Sequence, residues 1–172
     1  MAILAVAFAN GARGQVSEYQ IKAAFLYNFA GFVEWPANSF TSPSDPIVIC
    51  ILGANHFGDA LEEDTRGKVL AGRTFAVRMV IDAPPKSSCH ILFVNSSDRK
   101  RFQAMVASLE GNGVLTVGDA PWFIADGGII NFKVQGGKVR FEINVVAAKQ
   151  AHLRISSKLL SLAELSGSRS LQ

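Results

Sequence analysis

SEYQIKAAFLYNFAGFVEWP, running from Ser17 to Pro36, is the stretch around which the rest of the chain has to be arranged. Ser17 with Gln20 three residues on makes a capping box, and Pro36 stops the segment. Phe25, Phe29 and Phe32 recur at helical spacing, so one face is apolar. The opposite side is interrupted only by Glu18, Lys22, Asn28 and Glu34. A helix apolar nearly all round has to be covered on several sides. It is therefore expected at the centre of the core, with Phe25, Phe29 and Phe32 packed on a sheet. Some of Tyr19, Leu26 and Trp35 are expected to stay accessible near its ends, as an apolar patch for a partner or a second copy of the chain.

The remainder must supply that cover. With 172 residues, 49% hydrophobic and 18% charged, the chain has the composition of one globular domain with a substantial core. The formal charge of +3 is dispersed. Nucleic acid as a partner is excluded, because that would ask for a basic stripe with base-reading or stacking groups. The one compact basic run, Arg99-Lys100-Arg101, falls where a helix begins. Upstream, Ile3 to Ala9 (ILAVAFA) is too short to span a bilayer. Ala12-Arg13-Gly14 places small residues where a signal peptidase reads, although no Lys or Arg precedes the apolar run. A clipped signal peptide over 1–14 is expected, hence an exported protein. One domain follows over 15–166, with a frayed tail over 167–172.

Within that domain, Ile47 to Leu52 and Cys89 to Val94 are continuous apolar runs, the pattern of strands covered on both faces. Thr74 to Ile81 alternates as a half-buried strand. Short helices are expected from His56 to about Glu63, and after Asn95 to Asp98, where Phe102, Met105, Val106 and Leu109 follow helical spacing. Ile129–Gln135 and Lys138–Asn144 flank Gly136-Gly137, a two-residue hairpin turn. Its register sets Ile130, Phe132 and Val134 against Ile143, Phe141 and Val139 on one face. On the other face Lys133 opposes Arg140 and Asn131 opposes Glu142. Opposed cations need a carboxylate or a bound anion between them. The expected fold is α/β: a mixed sheet of about five to six strands, flanked by helices on both faces and ending in a β-hairpin.

Catalytic and metal chemistry find little support. Gly53-x-x-x-x-Gly58 lacks the Lys and Ser/Thr of a phosphate loop, and His56, His90 and His152 have no metal-ligand spacing. Cys89 and His90, as neighbours on a strand, point to opposite faces and cannot form a dyad. No cofactor and no enzymatic activity are expected. Cys50 and Cys89 sit in two strand-like runs. If these are neighbours, a disulfide closes a loop of about forty residues, worth roughly 3–4 kcal/mol in the chain-entropy model. Two buried free thiols are the alternative, and export favours the bridge. A small-molecule site would lie at the carboxyl ends of the strands. Asn131, Arg140, His152 and Arg154 are its candidate ligand or anion contacts, with Trp122 as an apolar wall.

FLYNFAGFVEWP (Phe25–Pro36), PIVICILGANHFGDAL (Pro46–Leu61), CHILFV (Cys89–Val94), VLTVGD (Val114–Asp119), GGIINF (Gly127–Phe132), KVRFEIN (Lys138–Asn144) and ISSKLLSLA (Ile155–Ala163) together resemble the YfiR-like periplasmic family. The resemblance runs in order over nearly the whole chain beyond residue 14. It implies a compact periplasmic α/β domain with a disulfide at Cys50 and Cys89. For function it implies a repressor of an inner-membrane diguanylate cyclase, released when an outer-membrane lipoprotein sequesters it. Related domains work with sensor kinases, which makes a ligand-binding sensor the alternative. The family's named member has a second disulfide, where this chain carries Ile124 and Asn131.

Overall fold

The computed structural model describes residues 16–95 and 97–165. The expected signal segment, 1–14, and the tail, 167–172, lie outside the described residues. The chain runs α1 (Glu18–Ala30), β1 (Val33–Glu34), a 3-10 turn (Ala37–Ser39), β2 (Ile47–Leu52), α2 (Ala60–Thr65), β3 (Phe75–Val80) and β4 (Ile91–Val94). It continues through α3 (Arg99–Leu109), β5 (Leu115–Gly118), β6 (Ile130–Gln135), β7 (Lys138–Ile143), α4 (Val145–Gln150), β8 (Arg154–Ile155), α5 (Ser157–Leu162) and β9 (Glu164–Leu165).

The main sheet has seven strands in the order β3-β2-β4-β5-β6-β7-β9. The first five are mutually parallel, and β7 turns back antiparallel on β6. Strand order reverses after β3, because the chain returns past β2 to lay down β4 on its other side; this is the arrangement of doubly wound α/β sheets. The hairpin has the expected register throughout, from Ile130 against Ile143 to Gln135 against Lys138. Gly136 (φ 57°) and Gly137 (φ 73°) both take the left-handed conformation that a tight two-residue turn requires. The hairpin is not the last part of the sheet: β9 adds parallel to β7, and β8 pairs antiparallel with β1. Both additions are two-residue strands, too short to leave a periodic signal.

Alternation along the strands divides the core in two. On one face Ile47, Ile49, Ile51, Ile91, Phe93, Leu115, Val117, Ile130, Phe132, Phe141 and Ile143 pack beneath α1, with α2, α4 and α5 beside it. On the other, Val48, Cys50, Leu52, Leu92 and Val94 meet Phe102, Met105 and Leu109 of α3, together with Phe123. Burial on both faces is why β2 and β4 read as unbroken apolar runs. Phe123 lies in the turn between β5 and β6, where a Cβ on Gly118 or Gly128 would run into its ring.

Helix α1 begins as its sequence dictates. Ser17 and Gln20 form both hydrogen bonds of the capping box. It ends earlier than Pro36, because the chain leaves the helix at Gly31 and Val33–Glu34 goes into strand pairing with Arg154–Ile155. The helix therefore turns a slightly different stripe to the sheet from the one its phenylalanines suggest. Lys22, Ala23, Leu26, Phe29 and Ala30 are buried. Phe25 is half-buried against Phe132 and Phe141, and Phe32 is half-buried beyond the helix end. Leu26 is 0% exposed, which removes it from the three candidates for the accessible patch: it is a core residue.

Candidate functional site

A lysine on the buried stripe of a core helix has to be neutralised locally, because an isolated ammonium is costly to remove from water. Lys22 is 2% exposed. Its Nζ contacts the Glu18 carboxylate at 2.5 Å, one helical turn back, and Asp119 Oδ2 at 2.8 Å. Asp119 is brought there by β5, which ends at Gly118. The Tyr19 hydroxyl donates to the same Oδ2 at 2.9 Å, and Lys22 Nζ lies 4.4 Å from the centre of the Tyr19 ring. Burial pushes the Tyr19 phenol well above its ordinary range, and the hydrogen bond to Asp119 and the nearby carboxylate charges push it the same way. Tyr19 is thus held as a neutral donor.

Where β5 stops, β6 runs on beyond it, pairing with β5 only through Ile130 and Asn131. The end of β5 and the continuing β6 border a groove of about 440 Å³, lined by Glu18, Lys22, Asp119, Asn131, Lys133 and Glu142 among others. The Asn131 side-chain amide donates to Ala120 O at 3.0 Å, and Lys133 reaches Glu142 at 2.7 Å. Two buried oxygens in this lining, Asp119 Oδ1 and Asn131 Oδ1, have no hydrogen-bond partner among the described residues.

A second polar cluster lies at the amino ends of β2 and β4. His90 Nδ1 accepts from the Val48 N–H at 3.0 Å, and His90 Nε2 lies 3.0 Å from Ser39 O, which can only accept. The ring is therefore the neutral tautomer with its proton on Nε2. Burial lowers its pKa. Phe40 stacks on the imidazole at 4.2 Å, and the Arg73 guanidinium sits 3.7 Å from the Phe40 centroid while donating to Ser42 O and Asp45 O. These contacts strap the loop 36–46 across the sheet. Beside them Cys50 and Cys89 are joined in a disulfide with Cα atoms 5.9 Å apart. With Cys89 bonded and both imidazole nitrogens held by backbone, this pair cannot serve as nucleophile and base.

A protein-family model described as YfiR/HmsC-like matches residues 19–164, from the first turn of α1 to the start of β9. The chain belongs to the YfiR/HmsC-like family. Among the described residues of this YfiR/HmsC-like chain, no helix is long and apolar enough to cross a membrane, and no group of three or more His, Cys, Asp or Glu is placed to hold a metal ion.

The residues singled out from sequence do not converge in this YfiR/HmsC-like fold. Asn131 lines the groove. Arg140 is exposed on the hairpin, opposite Lys133, and the neighbouring Glu142 answers Lys133 rather than Arg140. His152 follows α4, beside Gly111, and Arg154 pairs with Glu34 across β1 and β8 at 3.5 Å. Trp122 packs with Phe102 and Phe123 under the Arg99 guanidinium, so it is a core-edge residue and not a wall of the groove. Of the expected four-residue ligand set, Asn131 and Arg140 share one face of the hairpin, while His152 and Arg154 lie on other elements. Of the three aromatic and aliphatic candidates, Tyr19 and Trp35 are half-buried and Leu26 is in the core. Trp35 Nε1 donates to His90 O at 3.2 Å. Sequence reasoning missed Lys22 and Asp119 as a pair. The available signal was one lysine on a helix otherwise short of polar residues, and one aspartate directly after a buried strand.

Proposed function

We propose that this YfiR/HmsC-like chain is a non-enzymatic periplasmic regulator that binds the periplasmic part of an inner-membrane diguanylate cyclase and represses it. Family membership over residues 19–164 carries this reading. Repression works by population: the cyclase is held inactive by whatever fraction is bound, and a competing partner, an outer-membrane lipoprotein, lowers the free regulator and restores activity. The candidate docking positions are Tyr19, at the start of α1, and Trp35, just beyond β1, both of which remain partly exposed. Both side chains are held by hydrogen bonds, which lowers the entropy lost when an aromatic anchor is immobilised.

The test is capture of the cyclase from solubilised membranes by the tagged chain, with cellular cyclic-di-GMP measured after deletion. Capture together with a rise in cyclic-di-GMP is expected. Unchanged cyclic-di-GMP with no cyclase captured would remove the reading. Trp35→Ala should weaken capture at least about tenfold, the scale of an aromatic hot spot. Capture at wild-type strength by a folded Trp35→Ala chain would take Trp35 off the surface.

A further inference from the structure

We propose that His90 is an acid-sensitive latch for residues 36–40: its neutral ring holds this segment closed over the amino ends of β2 and β4, and protonation releases it together with Trp35. The ring is 2% exposed and bonds to backbone on both sides, taking the Val48 N–H on Nδ1 and giving its Nε2–H to Ser39 O. Phe40 covers its face, and the Trp35 ring stands edge-on to it at 6.2 Å. One imidazole thus joins Trp35, Ser39 and Phe40 to the sheet. The rest of the loop is tied down by other groups. Arg73 donates to Ser42 O and Asp45 O, and Asp45 Oδ2 accepts from the Thr41 N–H, the Thr41 hydroxyl and the Ser42 N–H. The division between the two anchorages falls after Phe40, which leaves 36–40 dependent on the histidine.

A second proton on this ring can go only to Nδ1, and there it meets another donor. An imidazolium donates from both nitrogens and accepts at neither, so its new N–H would face the Val48 N–H across 3.0 Å. The charges around the ring give little relief. Arg73 and Arg78 oppose a further positive charge; Asp45 favours it, but its carboxylate is engaged by Thr41 and Ser42. The charged ring reaches water by swinging out from beneath Ser39 and Phe40, so proton uptake is coupled to lifting 36–40. The sign follows from the two forms. Burial holds the closed ring below the ordinary 6.5, and an open, hydrated ring returns to it. Between those two values opening takes up one proton, and the open-to-closed ratio rises about tenfold for each pH unit of acidification. Trp35 is a candidate docking position, so acid should loosen an anchor that is fixed at neutral pH. That consequence rests on the cyclase-repressor reading; the latch itself does not.

The latch is tested on the purified chain alone, so its failure is separable from failure of the repressor reading. Amide hydrogen exchange is followed by NMR from neutral pH to about pH 4.5 and corrected for the intrinsic exchange rate. Trp122→Phe leaves Trp35 as the one tryptophan for fluorescence. On acidification the Val48 amide and the amides of 37–40 should lose protection on one curve, and Trp35 emission should move to the red. The amides of β4 and β5 should keep their protection over the same range. His90→Gln can still accept from Val48 and donate to Ser39 but does not titrate, so this segment should stay closed at every pH. Arg78→Glu, at an exposed position, replaces a charge that opposes protonation and should move the opening to higher pH. Opening of 37–40 on an unchanged curve in His90→Gln overturns the proposal. So does loss of protection across the whole sheet with no earlier local step, or protection of 37–40 that acid leaves intact. If His90→Gln does not fold, Arg78→Glu decides, and an opening curve that it fails to move overturns the latch.

Discussion

At the scale of single residues, Lys22 and His90 are two of the polar residues buried in the core, each held there by specific partners. Lys22→Met keeps the length of the side chain and removes its charge, leaving Asp119 buried with only the Tyr19 hydroxyl. Breaking a buried pair from one side typically costs about 3–5 kcal/mol. Urea denaturation of Lys22→Met should therefore show a loss of that order, and Lys22→Met/Asp119→Asn should recover much of it. An equal loss in the single and double variants would mean that the pair does not interact as described. His90 predicts a pH dependence. Its pKa is lowered in the folded state from the ordinary 6.5, chiefly by burial. The unfolded chain then binds the proton more readily, so stability from this residue is complete above about pH 6.5 and is lost as pH falls toward the lowered folded value. Protonating Nδ1 would also set a donor against the Val48 N–H. Melting temperature should fall between neutral pH and pH 5 in the wild-type chain, and less steeply in His90→Gln. Parallel curves would assign the acid sensitivity to other groups.

At the scale of elements, local signals were reliable where they were chemical. The Ser17–Gln20 capping box, the Gly136-Gly137 turn with its whole register, and the doubly covered strands β2 and β4 were all legible as residue types at fixed spacing. Ser17→Ala should cost about 1 kcal/mol, the usual value of an N-cap. Chemical denaturation will check it, and a change near zero would show that packing alone sets the start of α1. The helix end was harder to read. Pro36 marked where a helix must have stopped, but Gly31 is where it does, because β8 offers Val33–Glu34 a partner that no sequence period announces. The stripe of α1 that faces the sheet likewise includes Lys22 and Leu26, since a helix apolar on most sides does not by itself say which side goes in.

At the scale of the whole molecule, the disulfide ties β2 to the start of β4, the pair of strands where the winding reverses. With a sequence separation of 39, the chain-entropy model puts its contribution near about 4 kcal/mol. Cys50→Ser/Cys89→Ser should lower stability by roughly 2–5 kcal/mol, read from denaturant midpoints with and without reductant. Stability unmoved by the double substitution would show that the sheet core needs no such link.

The sequence by itself determined the class of fold, the layered burial of its central strands, the hairpin register and the start of α1. It also carried the resemblance to the family to which the chain belongs. These features rest on periodicity, caps and turns, which act between residues close in the chain. Only the tertiary structure decided that Tyr19 and Lys22 meet Asp119 across separations of 100 and 97 residues, and that His90 holds Ser39 and Val48 together. It also put His152 and Arg154 on elements other than the hairpin that carries Asn131 and Arg140. The physical reason is that such meetings depend on strand order and on which helix stripe turns inward. Both are settled by packing the whole core at once, and neither leaves a mark at any fixed spacing along the chain.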